Sequence, residues 1–292
     1  MLGRLKMSID ECINAYTELS EDVFHRKRQI PMGLRGDLRE RYDSEALELA
    51  VKKILKKMDL KEDELLKSQG GTKVSVHRLS TKIFLTCACS FVCCTSGVTS
   101  ESTLLRSWQT PRGNPNLYST VRIWEAARAT SAASTYFDPI SIGKPKKEFL
   151  DGGTGANNPV RHVWDEADDL LPQKQTLPEN LSCLVSIGTG QPGYKPFEST
   201  AVGIGKALLN IATETENTAN QFHRAQSRLF DSQICFRFNV PRGLGDIGLA
   251  ETEQMGAIEA MTDAYLQTET VQSSMRSCVE RLGERLSMSD FM

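Results

Sequence analysis

The sequence predicts an α/β fold, and three observations point there. Segments whose apolar residues recur every three or four positions alternate with short apolar runs of strand length. One such run, Phe149-Leu150, leads into Asp151-Gly152-Gly153-Thr154-Gly155-Ala156-Asn157-Asn158-Pro159, which reads as a strand end followed by a tight, polar loop. Another, Leu181 to Ile187, reads as a buried strand that ends in Gly188-Thr189-Gly190. In open α/β sheets chemistry gathers at the carboxyl ends of strands, so a carboxylate there suits an orienting base, or a phosphate or metal site. On these residues alone, a turn whose Asp151 caps its own backbone stands level with an active-site loop, because Asp-Gly is also a common hairpin signal.

The elements follow in order. Met1 to Leu5 resembles the tail of a helix. Ser8-Ile9-Asp10-Glu11 is a capping box, and Ile9, Cys12, Ile13, Tyr16 and Leu19 then recur at helical spacing, which predicts a helix to about Phe24. Residues 25–41 form a basic, glycine-punctuated loop. Its arginines and lysines suit anionic lipid head groups, but Asp37, Glu40 and Asp43 interleave with them and favour a plain solvated loop. Leu47, Ala50, Val51, Ile54, Leu55 and Met58 form one stripe of an amphipathic helix from about Ser44, covering a sheet.

Val74 to Val76 and Lys82 to Cys94 are strand-like. Cys87, Cys89, Cys93 and Cys94 invite a zinc hypothesis, but no second pair of ligands follows at usable spacing, and buried core thiols explain them better. Thr120 to Ala133 reads as one helix whose alanines permit close packing. Beyond it come a polar helix from His162, a long helical segment over residues 200–230, a short strand over residues 234–240, and a mostly helical end over residues 251–285.

Bulk properties narrow the function. A chain of 292 residues with 39% hydrophobic content can bury a real core, and it reads as a soluble globular protein. Its 35 basic and 37 acidic residues leave a formal charge of -2, with no electrostatic footprint for nucleic acid. The most apolar run, Ile83 to Cys94, is well short of the roughly 20 residues that cross a bilayer. Without an apolar leader after Met1, the eight cysteines read as reduced intracellular thiols, and a cytoplasmic location with peripheral contact at membranes is expected. The run Gly188 to Gly193 has the spacing of a dinucleotide loop, but proline and more loop follow where a helix should open, and no cofactor is expected. His223, like the other three histidines, has no context that would make it part of a triad.

Trp124-Glu125-Ala126-Ala127-Arg128-Ala129-Thr130-Ser131-Ala132-Ala133, then Tyr136-Phe137, Asp151-Gly152-Gly153 and Asn157-Asn158-Pro159, and later Ser186-Ile187-Gly188-Thr189-Gly190, resemble the patatin-like phospholipase family in the family's own order. The resemblance covers residues 1–190 and implies a three-layer α/β sandwich in which a Ser-Asp dyad hydrolyses acyl esters of lipids, phospholipid or acylglycerol. It implies that Asp151 is the dyad's aspartate and that Gly152 and Gly153 complete its motif. Ser134 stands where the family pattern usually has proline. Residues 1–165 are then expected to be the C-terminal part of a patatin-like domain, with residues 166–292 a continuation and a helical extension packed on it. Strands near Ile83 to Thr86, Glu148 to Leu150 and Cys183 to Ser186 are expected to share one sheet.

The nucleophile is the departure. An exposed serine on a strained strand-to-helix elbow needs Gly-x-Ser-x-Gly, and no two of the 21 glycines stand four apart. The family's glycine-rich oxyanion loop is missing as well. Two expectations follow from different classes: a lipid acyl hydrolase whose N-terminal part, with oxyanion loop and serine, is absent from this chain, or a non-catalytic relative that binds lipid or a protein partner.

Overall fold

In a computed structural model, the described residues are 1, 3–24, 41–67, 76–79, 82–85, 91–99, 101–133, 136–171, 175–191, 204–241, 243, 244, 247, 248 and 250–289. The basic loop, apart from Arg41, lies outside them, as do Cys87, Cys89 and Ser134. In chain order the elements are α1 (Ile9–Phe24), α2 (Ser44–Lys57), β1 (Val76–Leu79), β2 (Lys82–Leu85), β3 (Phe91–Ser96), β4 (Ser102–Arg106), α3 (Pro115–Thr120) and α4 (Ile123–Thr130). There follow β5 (Ile140–Ile142), β6 (Lys147–Asp151), α5 (Gly153–Ala156), α6 (Val160–Asp169), α7 (Leu177–Asn180) and β7 (Leu184–Ile187). The chain continues with α8 (Ile204–Ala225), α9 (Ser227–Asp231), β8 (Cys235–Phe238), α10 (Met255–Leu266) and α11 (Glu269–Ser289). The fold is α/β.

Contacts divide the chain into two units, residues 1–74 with 87–157 and residues 75–86 with 158–292. In the first, β4-β3-β6-β5 form a four-stranded antiparallel sheet. Helix α4 lies against β3, β5 and β6; α2 packs on α4, and α1 on α2. The capping box at Ser8 is present, with Ser8 Oγ accepting from the Glu11 amide at 3.2 Å and Glu11 accepting from the Ser8 amide at 2.7 Å. Asp43 caps α2 by accepting from the Glu45 amide at 2.9 Å. Leu55, Cys94, Leu105, Val121, Ala129, Ile142 and Phe149 form the core of this unit.

Several expectations are corrected here. The single helix over Thr120 to Ala133 is two helices. Asn114 caps α3, with Pro115 in its first turn. The backbone of Val121 and Arg122 then leaves helical geometry, and Arg122 bridges Leu65, through Leu66 N to Val121 O at 2.8 Å and Ile123 N to Glu64 O at 2.9 Å. Residues 3–5 make a turn with one Leu5 N to Met1 O bond, and the Arg4 guanidinium donates to the carbonyls of Leu65 and Leu66. The three strands expected in one sheet fall in three. β2 pairs antiparallel with β1, two residues away in sequence, β6 pairs with β3 and β5, and β7 pairs parallel with β8. A two-residue connection makes the β1-β2 hairpin the nearest pairing available to β2.

In the second unit, α9 and α11 lie against β8 and α6 packs on α8. Trp164, Phe222 and Phe230 form an edge-to-face series between α6, α8 and α9. β7 is shorter than expected and not buried: its residues alternate in exposure, with Ile187 77% exposed. No helix among the described residues is long and apolar enough to cross a membrane.

Candidate active site at the end of strand β6

Asp151 is the last residue of β6, opposite Cys94 of β3. Its backbone is held on both sides: its amide donates to Ala132 O at 3.1 Å, and its carbonyl accepts from the Thr95 hydroxyl at 3.0 Å. Thr130, at the end of α4, donates its hydroxyl to Cys93 O at 2.7 Å. The Ala-Thr-Ser-Ala run therefore ties the end of α4 to both β3 and β6. Ala129 and Ala132 are fully buried, so the close approach depends on their small side chains.

The polar loop expected after Asp151 is instead one turn of helix, α5. Each glycine of Asp-Gly-Gly has its own reason. Gly152 has ordinary helical dihedrals, so conformation does not require glycine there. Space does, because a Cβ at 152 would meet the Cys93 carbonyl, 2.7 Å from its carbon. At Gly153 a Cβ would fall 2.9 Å from Asp151 Oδ1, the oxygen that accepts from the Gly153 amide. The bare backbone at 153 lets the carboxylate fold over onto that amide.

Burial pushes the Asp151 carboxyl above the usual carboxylate range, and the Gly153 amide, which favours the charged form, offsets part of that. The neighbouring Cys94 thiol is pushed up to about 12 by burial, with Cys93 and Asp151 adding to it. Both Cys93 and Cys94 are buried in the sheet. A half-buried carboxylate with a raised pKa and a fixed rotamer can serve as a proton acceptor or an orienting group. Among the described residues, no group of three or more His, Cys, Asp or Glu side chains is placed to hold a metal ion.

Asp151, Gly152 and Gly153, the site residues expected from the sequence, stand at the turn from β6 into α5. Nothing in the sequence marks Thr95 and Thr130 as supports, since a threonine in a strand or in the last turn of a helix carries no sign of its partner. In the second unit, Ser186 to Gly190 is held by a polar network. Arg237 donates to Ser186 Oγ at 2.9 Å, the Gly190 amide to Asn239 Oδ1 at 2.7 Å, and Asn239 Nδ2 to Glu216 at 3.0 Å. Gly190 has φ 105°, which explains its glycine without any nucleotide. His223 packs its ring on Phe230 at 4.3 Å between centroids.

Comparison with known proteins adds to this geometry. Residues 1–164 match the family model described as patatin-like phospholipase. The chain is 25% identical over 246 residues to calcium-independent phospholipase A2-gamma of Oryctolagus cuniculus, and 27% identical over 251 residues to the Homo sapiens protein of the same name. Each match covers 82% of this chain and 28% of the relative, so the chain spans under a third of their length. Patatin-like phospholipase 1 of Plasmodium falciparum is 34% identical over 164 residues, covering 50% of this chain and 24% of that protein.

Proposed function

Because this chain belongs to the patatin-like phospholipase family, we propose that it is the part of a lipid acyl hydrolase that carries the base of a Ser-Asp dyad, Asp151. The observation that carries this reading is the half-buried carboxylate at the carboxyl end of β6, raised in proton affinity by burial and oriented by the Gly153 amide. A carboxylate so raised is a better proton acceptor near neutral pH than an exposed one. In the proposed reaction Asp151 takes the proton of a serine hydroxyl as its oxygen attacks the ester carbonyl. The proton then passes to the departing alcohol, and water, deprotonated by the same carboxylate, releases the fatty acid from the acyl-serine. The substrate class is a lipid ester, phospholipid or acylglycerol, reached through peripheral contact with a membrane from the cytoplasm. No cofactor takes part.

The serine and its oxyanion donors belong, on this reading, to sequence outside these 292 residues, because the glycine spacing of the elbow occurs nowhere within them. That same observation favours a second reading, a non-catalytic relative that binds lipid or a protein partner. A fluorophosphonate serine probe separates the two. Labelling is expected of a protein extended upstream with an in-frame Gly-x-Ser-x-Gly, and not of the 292-residue chain. In the extended protein Asp151→Asn is expected to abolish ester hydrolysis without unfolding it. Retained hydrolysis in that variant removes Asp151 from the mechanism, and stoichiometric labelling of the 292-residue chain means that a different serine is the nucleophile.

A further inference from the structure

We propose that Cys183 and Cys278 are a peroxide-sensitive thiol pair that closes to a reversible disulfide, fastening α11 to the start of β7. Cys183 immediately precedes β7, and the next residue, Leu184, pairs in parallel register with Cys235 of β8. The Leu184 amide donates to Ile234 O at 2.8 Å, which fixes this end of the strand. Helix α11 lies against β8, and Arg281 donates to Ser232 O at 3.0 Å, which holds the helix over the approach to that strand. Cys278 stands three residues before Arg281, close to one helical turn. There its thiol meets that of Cys183, and the two share a hydrogen bond. Neither sulfur has a part in the hydrolysis proposed above.

The thiols that gather here are not equivalent. Cys235 and Cys278 are buried, while Cys183 is partly exposed, so Cys183 is the sulfur that a small oxidant reaches. Cys183 shares its hydrogen bond with Cys278 rather than Cys235, which makes Cys278 the partner. Burial and the neighbouring thiols push Cys183 up to about 12, so the pair rests as thiols at neutral pH, while Arg281 acts in the opposite direction and favours the thiolate. In the proposed reaction the Cys183 thiolate takes one oxygen from hydrogen peroxide, and the hydroxide released takes up the thiol's proton as water. The Cys278 sulfur, giving up its proton, then attacks the sulfenic sulfur of Cys183 and expels a second water. Two thiols and one peroxide become one disulfide and two waters, the electrons lost by the sulfurs reducing the peroxide.

The test uses the reduced 292-residue chain, treated with hydrogen peroxide under native conditions, alkylated in denaturant and mapped as peptides by mass spectrometry without reductant. The peptides of Cys183 and Cys278 are expected to be joined, short of their summed mass by two hydrogens, and dithiothreitol to separate them. The bond closes residues 184–277 into a loop, so the oxidised protein is expected to unfold several degrees higher and to return to the original midpoint with dithiothreitol. Cys183→Ser and Cys278→Ser are each expected to remove both the joined peptide and the thermal shift, whereas Cys235→Ser keeps both. The map of the parent chain decides the matter even where a variant misfolds. Cys183 carried to sulfinic acid with Cys278 still a thiol, a bond from Cys183 to Cys235 or to a second copy, or both thiols intact once Cys12 is oxidised overturns the proposal. A joined peptide without a thermal shift overturns the fastening of α11.

Discussion

Gly152 presses its Cα against the carbonyl of Cys93 so closely that there is no room for a methyl group between α5 and β3. The contact is backbone on backbone, and the Thr130 hydroxyl donates to the same carbonyl at 2.7 Å. Gly152→Ala is therefore expected to destabilise the protein by about 1 to 3 kcal/mol, the usual cost of overpacking. At Gly153 the crowding partner is a side chain that can swing away, so Gly153→Ala is expected to cost less stability while moving the Asp151 carboxylate off the amide. Urea denaturation of the two variants checks the order. Equal losses would mean that crowding at Cys93 is not the reason for glycine at 152.

Asp151 itself is expected to oppose stability at neutral pH. Its folded-state pKa lies above the unfolded one because burial disfavours the charged form. Between the two values the folded protein binds more protons than the unfolded chain, so stability falls as pH rises through that window. The window opens near the ordinary carboxylate value of 3.8 and extends upward. Asp151→Asn removes the buried charge and keeps an oxygen for the Gly153 amide. It is expected to be at least as stable as the parent at pH 7, with the difference shrinking toward acid pH, as followed by thermal unfolding across pH.

The Ser186 to Gly190 turn depends on Asn239. Its side chain accepts from the Gly190 amide and donates to Glu216, and Gln191 donates to the other Glu216 oxygen at 3.1 Å. Asn239→Ala is expected to cost about 1 to 3 kcal/mol in urea denaturation, since it strips partly buried groups of their partners. Asn239→Asp is expected to cost a similar amount despite its matching shape, because it turns a donor facing Glu216 into a second carboxylate. An Asn239→Asp variant as stable as the parent would show that the donor to Glu216 contributes nothing.

Thiol reactivity is expected to follow burial. Cys94 is pushed up to about 12 and Cys235 to about 11, both by burial, and the thiolate is the reactive form. In alkylation of the native protein at pH 8, followed by peptide mass mapping, Cys12, which is half-exposed on α1, should react well before Cys94 and Cys235. Early modification of Cys94 would mean that β3 opens readily.

Local chemistry was legible in the sequence by itself. The α1 capping box, the apolar stripe of α2 and the position of Asp151 at the end of a strand all rest on residues within a few positions of one another, and the structure has each of them. Helix spacing and caps are satisfied by near neighbours, so the pattern carries its own partners. The order of the same-family motifs was likewise visible without coordinates. Strand pairing was not. β4 and β5 escaped reading because their short, mixed runs become strands only beside β3 and β6, and three strands expected together take three different partners. A strand's hydrogen bonds lie on another segment, and the choice among segments belongs to tertiary packing. The supports of Asp151 follow the same rule. Why position 152 must be glycine is written in Cys93, and why the Asp151 carbonyl is fixed is written in Thr95, both on a strand brought alongside only by the fold.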